Sequence, residues 1–417
     1  MLKSMRSSTL FFILLTSVIV SISLTLHIHN ALLYEPKHGF DGTGHIFYAQ
    51  YIAQQGSIPE PDLDWETHQP PLYYLIGAYV LRTFHTTKSL QFINPVIFFL
   101  LTAIVFLSAY HTFKNKYKSL MATFAFTALP MINIFPPMVT NEFLNTFCIT
   151  ASIMSAIFIA TAKTRKQLII ALSLWLLAAV AGIYTKITIL TALPAFFTAL
   201  GIQLAEHKSI IQKKVKIILF ILFFGLFFIS SLPILSRKQG GESPSNIQRI
   251  ATSPFKKDIV FFTRLDWIVK LDMFNAHYYS FLGGSWNSFW QDGHNAITPF
   301  VLFHKKVLVL WSLGFMLFPL SLYGLGMMWR THKKEMLVIG SYGISALLFY
   351  IFYNAISTHY SAVRLTYIMP IALVYAFGIA CAATHKKLRW VLLALLLIQY
   401  SVMVSHFWIQ PWWHVTR

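Results

Sequence analysis

The feature that most constrains this chain is a series of apolar runs, each close to 20 residues long, separated by short joints rich in lysine and arginine. The hydrocarbon core of a bilayer is about 30 Å thick and takes about 20 helical residues to cross. Eleven runs come near that length: 9–28, 93–112, 119–135, 143–162, 167–185, 188–204, 215–233, 302–328, 335–354, 363–382 and 389–407. A soluble domain carries charge on roughly a quarter of its residues. Here 11% are charged and 56% are hydrophobic, with a mean hydropathy of +0.60. The expected class is an all-α polytopic membrane protein, one transmembrane domain over 1–417 with a bundle of about eleven spans and external juxtamembrane helices.

A net charge of +19 would ordinarily suggest nucleic acid. The distribution argues against it, because the basic residues sit in clusters between apolar runs, as they do in cytoplasmic loops. With the N-terminus inside, the clusters Lys114/Lys116/Lys118, Lys163/Arg165/Lys166, Lys208/Lys213/Lys214/Lys216, Arg330/Lys333/Lys334 and Lys386/Lys387/Arg389 all fall on the cytoplasmic side. A crossing by the apolar segment 71–84 would put the next basic loop outside. At 14 residues it is also short, so it reads as a partly embedded or juxtamembrane helix. Two extracytoplasmic loops remain, 29–92 and 235–301. They and the short outer joints hold twelve of the fourteen acidic residues, all but Glu206 and Glu335. Carboxylate chemistry is therefore expected outside. Cys148 and Cys381 lie inside apolar runs and read as packing residues. The basic start, Met1–Arg6, followed by Leu10–Leu26, reads as a retained signal-anchor.

The densest signal is in the first loop. Asp41-Gly-Thr-Gly-His45-Ile-Phe-Tyr48 follows the first span, then Gly56-Ser-Ile-Pro59, then His68-Gln69-Pro70-Pro71-Leu72-Tyr73-Tyr74. In a helix starting at Asp41, His45 and Tyr48 fall at i+4 and i+7 on one face. Asp41 would also serve as a helix N-cap, its plainer role. The glycines at 42 and 44 permit close backbone approach. Pro70 and Pro71 fix φ and donate no hydrogen bond, so they launch the helix from 72 at a set angle.

This order of residues resembles the GT-C-type membrane glycosyltransferases, a group that includes protein O-mannosyltransferases and lipid A aminoarabinose transferases. The resemblance continues in Pro137-Met-Val-Thr-Asn141-Glu142, in Gly182-Ile-Tyr184-Thr185-Lys186 and in Tyr360-Ser-Ala-Val-Arg364-Leu-Thr-Tyr367-Ile-Met-Pro370. It does not extend to 235–301. It implies transfer of a sugar from a polyprenyl-phosphate carrier, with inversion at the anomeric carbon, and Asp41 stands where such enzymes keep their essential carboxylate. Many members carry a second acid beside the first. Gly42 is there instead, which leaves the subfamily and the sugar unassigned.

Such chemistry needs a group to take the acceptor's proton and fixed positive charge for the leaving phosphate. Asp41 is expected in the first role, with Glu142 as the second carboxylate. Glu142's plainer role is that of a buried, hydrogen-bonded acid at a span end. Lys186 and Arg364 are expected to bind the donor phosphate, against the alternative of snorkelling to headgroups. His45, Tyr48, His68, Gln69 and Tyr367 are the candidate substrate contacts. No cofactor is called for. A divalent ion would have to use His45, His68, His359 or Asp41, and only Asp41 and His45 have helical i,i+4 spacing. Trp286-Asn-Ser-Phe-Trp290-Gln-Asp292-Gly-His294 suits either sugar stacking or the membrane interface, and Trp412-Trp413-His414 an aromatic belt.

The expected partners are a polyprenyl-phosphate-linked sugar, a protein, lipid or glycan acceptor, and membrane lipids. A bacterial inner membrane with the N-terminus cytoplasmic is the expected location. The competing class is a transporter or flippase for a lipid-linked glycan, which would place ionisable residues near the bilayer midplane. A phosphatase would show an Arg/His phosphate motif on short loops, and the chain has none.

Overall fold

The computed structural model describes residues 2–205, 212–236, 257–270, 275–292, 304–357 and 363–410, with helices as the only regular elements among them. Glu206, Lys208, Glu242, Asp272, His294, His359, Tyr360 and Trp412–His414 lie outside the described residues. In chain order the first half runs α1 (Leu2–Leu33), α2 (Gly42–Gln55), α3 (Leu72–Phe84), a 3-10 turn Thr87–Phe92 leading into α4 (Ile93–Phe113), α5 (Lys116–Thr127), α6 (Pro130–Ile134), α7 (Glu142–Thr161), α8 (Arg165–Ile183), a 3-10 turn Ile187–Ala192 leading into α9 (Leu193–Ala205), and α10 (Lys213–Leu235). The second half has four short helices between Ile259 and Trp290, then His304–Thr331, Lys333–Ile356, Ile371–Ala382 and Lys386–Phe407.

Nine helices among the described residues are long and apolar enough to span a bilayer, and each coincides with one of the eleven predicted runs. The other two runs are present in a different form. The run 119–135 is divided between α5 and α6, because Pro130 cannot continue α5 and opens α6 at its first position. The carbonyls freed at the break are satisfied by the Asn133 amide, which donates to Thr127 and Leu129 at 2.8 Å each. His27 of α1 donates in turn to Asn133 Oδ1 at 3.0 Å. This broken segment is buried along its whole length, so its polar repair is made by protein. The run 363–382 begins as extended chain at Arg364, turns through Leu365–Ile368 and becomes helical only after Pro370. Segment 72–84 forms α3, 13 residues long and too short to cross, as its length predicted.

The basic joints converge on one end of the bundle. The Arg389 guanidinium lies 4.3 Å from the Tyr117 ring centre, and Phe113 meets the His332 ring at 5.2 Å. His111 bonds Thr161 at 2.8 Å, next to the 163–166 cluster. From that end α7 and α8 span the bundle with 20 and 19 residues, about 30 Å each. They carry Glu142 and the Lys186 turn to the opposite end, where α2 and α3 lie. The two are joined there by two further bonds: the Asn141 amide donates to the Thr185 carbonyl at 3.4 Å and the Asn145 amide to the Thr188 hydroxyl at 2.9 Å.

Candidate active site

Three chain segments meet at the end remote from the basic joints, and each is fixed by backbone-directed bonds. Leu72 N–H, at the Pro-Pro launch of α3, donates to the Tyr184 carbonyl at 2.8 Å. The Tyr73 hydroxyl accepts from the Thr140 N–H at 3.1 Å, two residues before Glu142. On the α4 side, the Gln91 amide donates to the Pro137 carbonyl at 2.6 Å and the Asn94 amide to the Met138 carbonyl at 2.8 Å. The proline-rich loop 136–141 is thereby held without regular structure, and Glu142 is set at the first turn of α7.

Asp41 sits at the N-cap position of α2 with φ 63° and ψ 18°, and its side chain makes no cap hydrogen bond. The plainer cap role therefore fails: the carboxylate is not used to hold the helix. Left-handed backbone is disfavoured for a residue with a Cβ, and Asp is among the few side chains that tolerate it. The carboxyl is partly buried and held above the ordinary Asp range by that burial. The Arg364 and Lys186 cations oppose the rise, and the Glu142 charge adds to it. These four groups, up to 323 positions apart in sequence, thus share one electrostatic field.

Lys186 and Glu142 form an ion pair at 2.5 Å, with side chains 13% and 12% exposed. Burial lowers the Lys186 pKa, but Glu142, Tyr367 and Glu66 together outweigh it, so the ammonium stays charged. Arg364 donates to the Tyr367 hydroxyl at 2.8 Å and stacks 4.0 Å from the Phe40 ring centre. Lys186 also lies 5.4 Å from the Tyr367 ring centre. Tyr367 therefore stands between two cations and spaces them. Both cations face the cluster, and neither is free to snorkel: Arg364 is 8% exposed.

The remaining predicted contacts divide into two groups. His45 and Tyr48 are buried supports. His45 Nδ1 lies 2.9 Å from the Tyr74 hydroxyl, and Tyr48 stacks on Tyr74 at 3.8 Å with its own hydroxyl 3.3 Å from the Gln69 carbonyl. Burial, with the Lys186 and His68 charges, holds the His45 pKa down at about 3, so the ring is neutral. His68 and Gln69 stay nearer the surface. His68 Nδ1 donates to the Trp65 carbonyl at 2.6 Å, and its Nε2 accepts from the Gln69 amide at 3.3 Å. No group of three or more His, Cys, Asp or Glu among the described residues is placed to hold a metal.

One residue of this cluster escaped the sequence reading. Glu66 is 4% exposed, with Oε2 at 3.5 Å from both the Tyr74 hydroxyl and His45 Nδ1. Burial, reinforced by the Asp41 charge, raises its pKa to about 8. Its signal was an acid two residues before His-Gln-Pro-Pro. In sequence it looked like any other carboxylate of a polar loop; its burial depends on Gly44. A Cβ there would come within 2.6 Å of Glu66 Cγ and 2.5 Å of the Trp65 indole nitrogen.

No protein-family profile matches the chain, and no curated protein matches its sequence. Solved structures do match in fold. ArnT from Cupriavidus metallidurans bound to undecaprenyl phosphate superposes with a TM-score of 0.55 and 12% identity, covering 91% of this chain and 60% of that one. Its apo state gives 0.54 and 11%, over 92% and 60%. The Archaeoglobus fulgidus oligosaccharyltransferase complexed with zinc and sulfate gives 0.52 and 12%, over 94% and 53%. The chain thus spans a little over half the length of the proteins it matches. With nine span-length apolar helices among the described residues, α2 and α3 set against one end of the bundle, and these structural neighbours, the chain is an all-α polytopic membrane protein with the GT-C fold.

Proposed function

We propose that this protein is a glycosyltransferase that moves a sugar from a polyprenyl-phosphate carrier to an acceptor hydroxyl on the extracytoplasmic face, with inversion at the anomeric carbon. The observation that carries the reading is the meeting of one carboxylate that makes no cap bond, Asp41, with the half-buried Lys186 and the buried Arg364 at one end of a GT-C bundle. The bound undecaprenyl phosphate of the ArnT structure supports a lipid-phosphate donor.

The chemistry follows from the geometry. The acceptor oxygen bonds to the anomeric carbon as the bond from that carbon to the phosphate oxygen breaks. The acceptor proton passes to the Asp41 carboxylate, whose raised pKa makes it a better base than an exposed Asp. The electron pair leaves with the polyprenyl phosphate, whose growing charge falls to Lys186 and Arg364. Arg364 supplies a planar fork for phosphate oxygens, and Lys186 a point charge. Glu142 positions Lys186 through their ion pair, and Tyr367 positions Arg364. Neutral Glu66, held by Tyr74 and His45, lies close enough to Asp41 to feel its charge. The acceptor enters from water, where His68 and Gln69 lie.

The test is release of lipid phosphate from a panel of labelled polyprenyl-phosphate sugars in proteoliposomes supplied with crude acceptor. Wild type is expected to release phosphate from one donor, and Asp41→Asn to lose about 100-fold or more of that rate while remaining folded. Undiminished release by Asp41→Asn removes Asp41 from the chemistry. No release from any donor, with translocation of a lipid-linked glycan instead, replaces the transferase with a transporter.

A further inference from the structure

Three tryptophans among the described residues are exposed: Trp65, Trp329 and Trp390. Two of them lie at the basic end of the bundle. Trp329 is in the last turn of the helix His304–Thr331, with the Lys333 ammonium 5.7 Å from its ring centre, and Trp390 is in the first turns of Lys386–Phe407. That is the place of an aromatic belt at a membrane interface. Trp65 lies at the opposite end, in the first extracytoplasmic loop, and is 57% exposed. Its neighbours in the chain include Glu60, Asp62 and Asp64. Their like charge disfavours an anionic headgroup layer as its cover.

The exposed ring is firmly mounted. Residues 64–67 form a closed turn, in which Thr67 N–H donates to the Asp64 carbonyl and Asp64 N–H to the Thr67 hydroxyl, each at 3.0 Å. The Trp65 carbonyl accepts from His68 Nδ1 at 2.6 Å. The next residue, Glu66, is buried against Tyr74 and His45. The edge of the indole rests on α2, since a Cβ added at Gly44 would lie 2.5 Å from its nitrogen. A helical Cα–Cβ bond tilts toward the helix N-terminus, and positions three apart share a face. The indole therefore lies over the face of α2 that Asp41 begins, one turn from Asp41, or about 5 Å along the axis. His68 and Gln69 border it on the water side.

A flat, fixed, exposed indole beside a carboxylate suits a saccharide. The face of a sugar ring that bears C–H bonds is apolar and slightly positive, and it stacks on the negative face of an aromatic ring. The hydroxyls at its rim both donate and accept, as carboxylate and amide partners require. A serine or threonine side chain has no flat face to stack. A ring held on a rigid plate presents one hydroxyl in one orientation, which transfer needs. We propose that Trp65 is the platform for a saccharide acceptor, lying under the ring whose hydroxyl is glycosylated. That hydroxyl oxygen bonds to the anomeric carbon of the donor, its proton passes to Asp41, and polyprenyl phosphate leaves with the electron pair. The proposal rests on reading Asp41 as the base of a transferase. It narrows the acceptor from protein, lipid or glycan to a sugar ring.

The test is steady-state transfer by the full-length protein in proteoliposomes, from the labelled donor that wild type turns over. The acceptors are methyl glycosides of glucose, galactose, mannose and N-acetylglucosamine and, separately, a peptide containing serine and threonine. The variants are Trp65→Phe, which keeps a ring, and Trp65→Leu, which keeps only apolar bulk. Wild type is expected to glycosylate one or more of the glycosides and not the peptide. Trp65→Leu is expected to raise the KM for that glycoside about tenfold with kcat and the donor KM unchanged. Trp65→Phe is expected to restore most of the loss. Should Trp65→Leu misfold, Trp65→Met carries the same comparison. Transfer to the peptide alone, or to no glycoside while crude acceptor is glycosylated, overturns the platform. So does a glycoside KM that Trp65→Leu leaves intact, or a fall in kcat at constant KM, which would make Trp65 only a support for Gly44 and Glu66. Failure of the transferase reading looks different: no donor is turned over with crude acceptor, or Asp41→Asn turns over as wild type does, and the platform falls with it.

Discussion

Asp41 adopts φ 63°, a backbone conformation that costs a residue bearing a Cβ roughly 1 kcal/mol or more. Its side chain returns no cap bond for that cost. The carboxylate lies instead within the fields of Arg364 and Lys186. Behind it, Glu66 titrates at about 8 against an ordinary 4.5. The sign of the consequence is definite. Between those values the unfolded chain has released the Glu66 proton and the folded one has kept it, so stability falls as pH rises. Above pH 6.5 His45 is neutral in both states, so of the His45–Glu66 pair it is Glu66 that sets the trend from pH 6.5 to 8. That window of about 1.5 pH units corresponds to on the order of 2 kcal/mol. Thermal unfolding in detergent is expected to show a midpoint falling across it in wild type and a flatter profile in Glu66→Gln. Parallel profiles would mean that Glu66 is ionised in the folded protein.

At the scale of elements, the site depends on how closely α2, the Glu66 turn and α3 approach one another. Gly44 admits Glu66, and Gly77 of α3 faces Ala49 of α2, where an added Cβ would lie 3.1 Å from the Ala49 Cβ. Arg82 closes the other end by donating to the Ile52 and Ala53 carbonyls at 3.0 and 2.9 Å, at the last turn of α2. Gly44→Ala must push the Glu66 turn away, and donor turnover is expected to fall about tenfold or more, as misplacing a site by a fraction of an ångström does. Gly201→Ala in α9 is the control, since its Cβ would meet nothing within 4 Å. It is expected to leave turnover unchanged and to raise the unfolding midpoint slightly, by restricting the unfolded chain. Equal turnover in Gly44→Ala and wild type would show that the approach of Glu66 to α2 does not matter for transfer.

At the scale of the molecule, the bundle is polarised. Basic joints gather at one end, and the Asp41 cluster lies about 30 Å away at the other, the length of α7. The tendency of lysine and arginine clusters to stay on the cytoplasmic side then predicts a site on the outer face. Because Cys148 and Cys381 are both buried, single cysteines can report this directly. Ser57→Cys, exposed near the site end, is expected to react with a membrane-impermeant maleimide on intact cells. Lys116→Cys, exposed at the basic end, is expected to react only after permeabilisation. The reverse pattern would turn the protein over and remove the extracytoplasmic reaction.

The chain's own sequence determined what depends on local or averaged physics. Run length and charge clustering marked eleven runs, nine of them continuous spans among the described residues, and the Pro-Pro step before Leu72 marked a helix too short to cross. The order of Asp41, Pro-Pro-Leu, Glu142, Lys186 and Arg364 marked the segments that meet. Hydropathy averaged over a window could not reveal that the run at Pro130 is broken, because Asn133 repairs the break without adding charge. Nor could spacing tell that His45 and Tyr48 turn inward to support Tyr74. Burial of a carboxylate is a property of everything around it. Glu66 differs from the exposed acids of the same loop only because Gly44, Trp65 and Tyr74 close over it. Those assignments belong to tertiary structure, since desolvation and hydrogen-bond partners come from residues tens to hundreds of positions away.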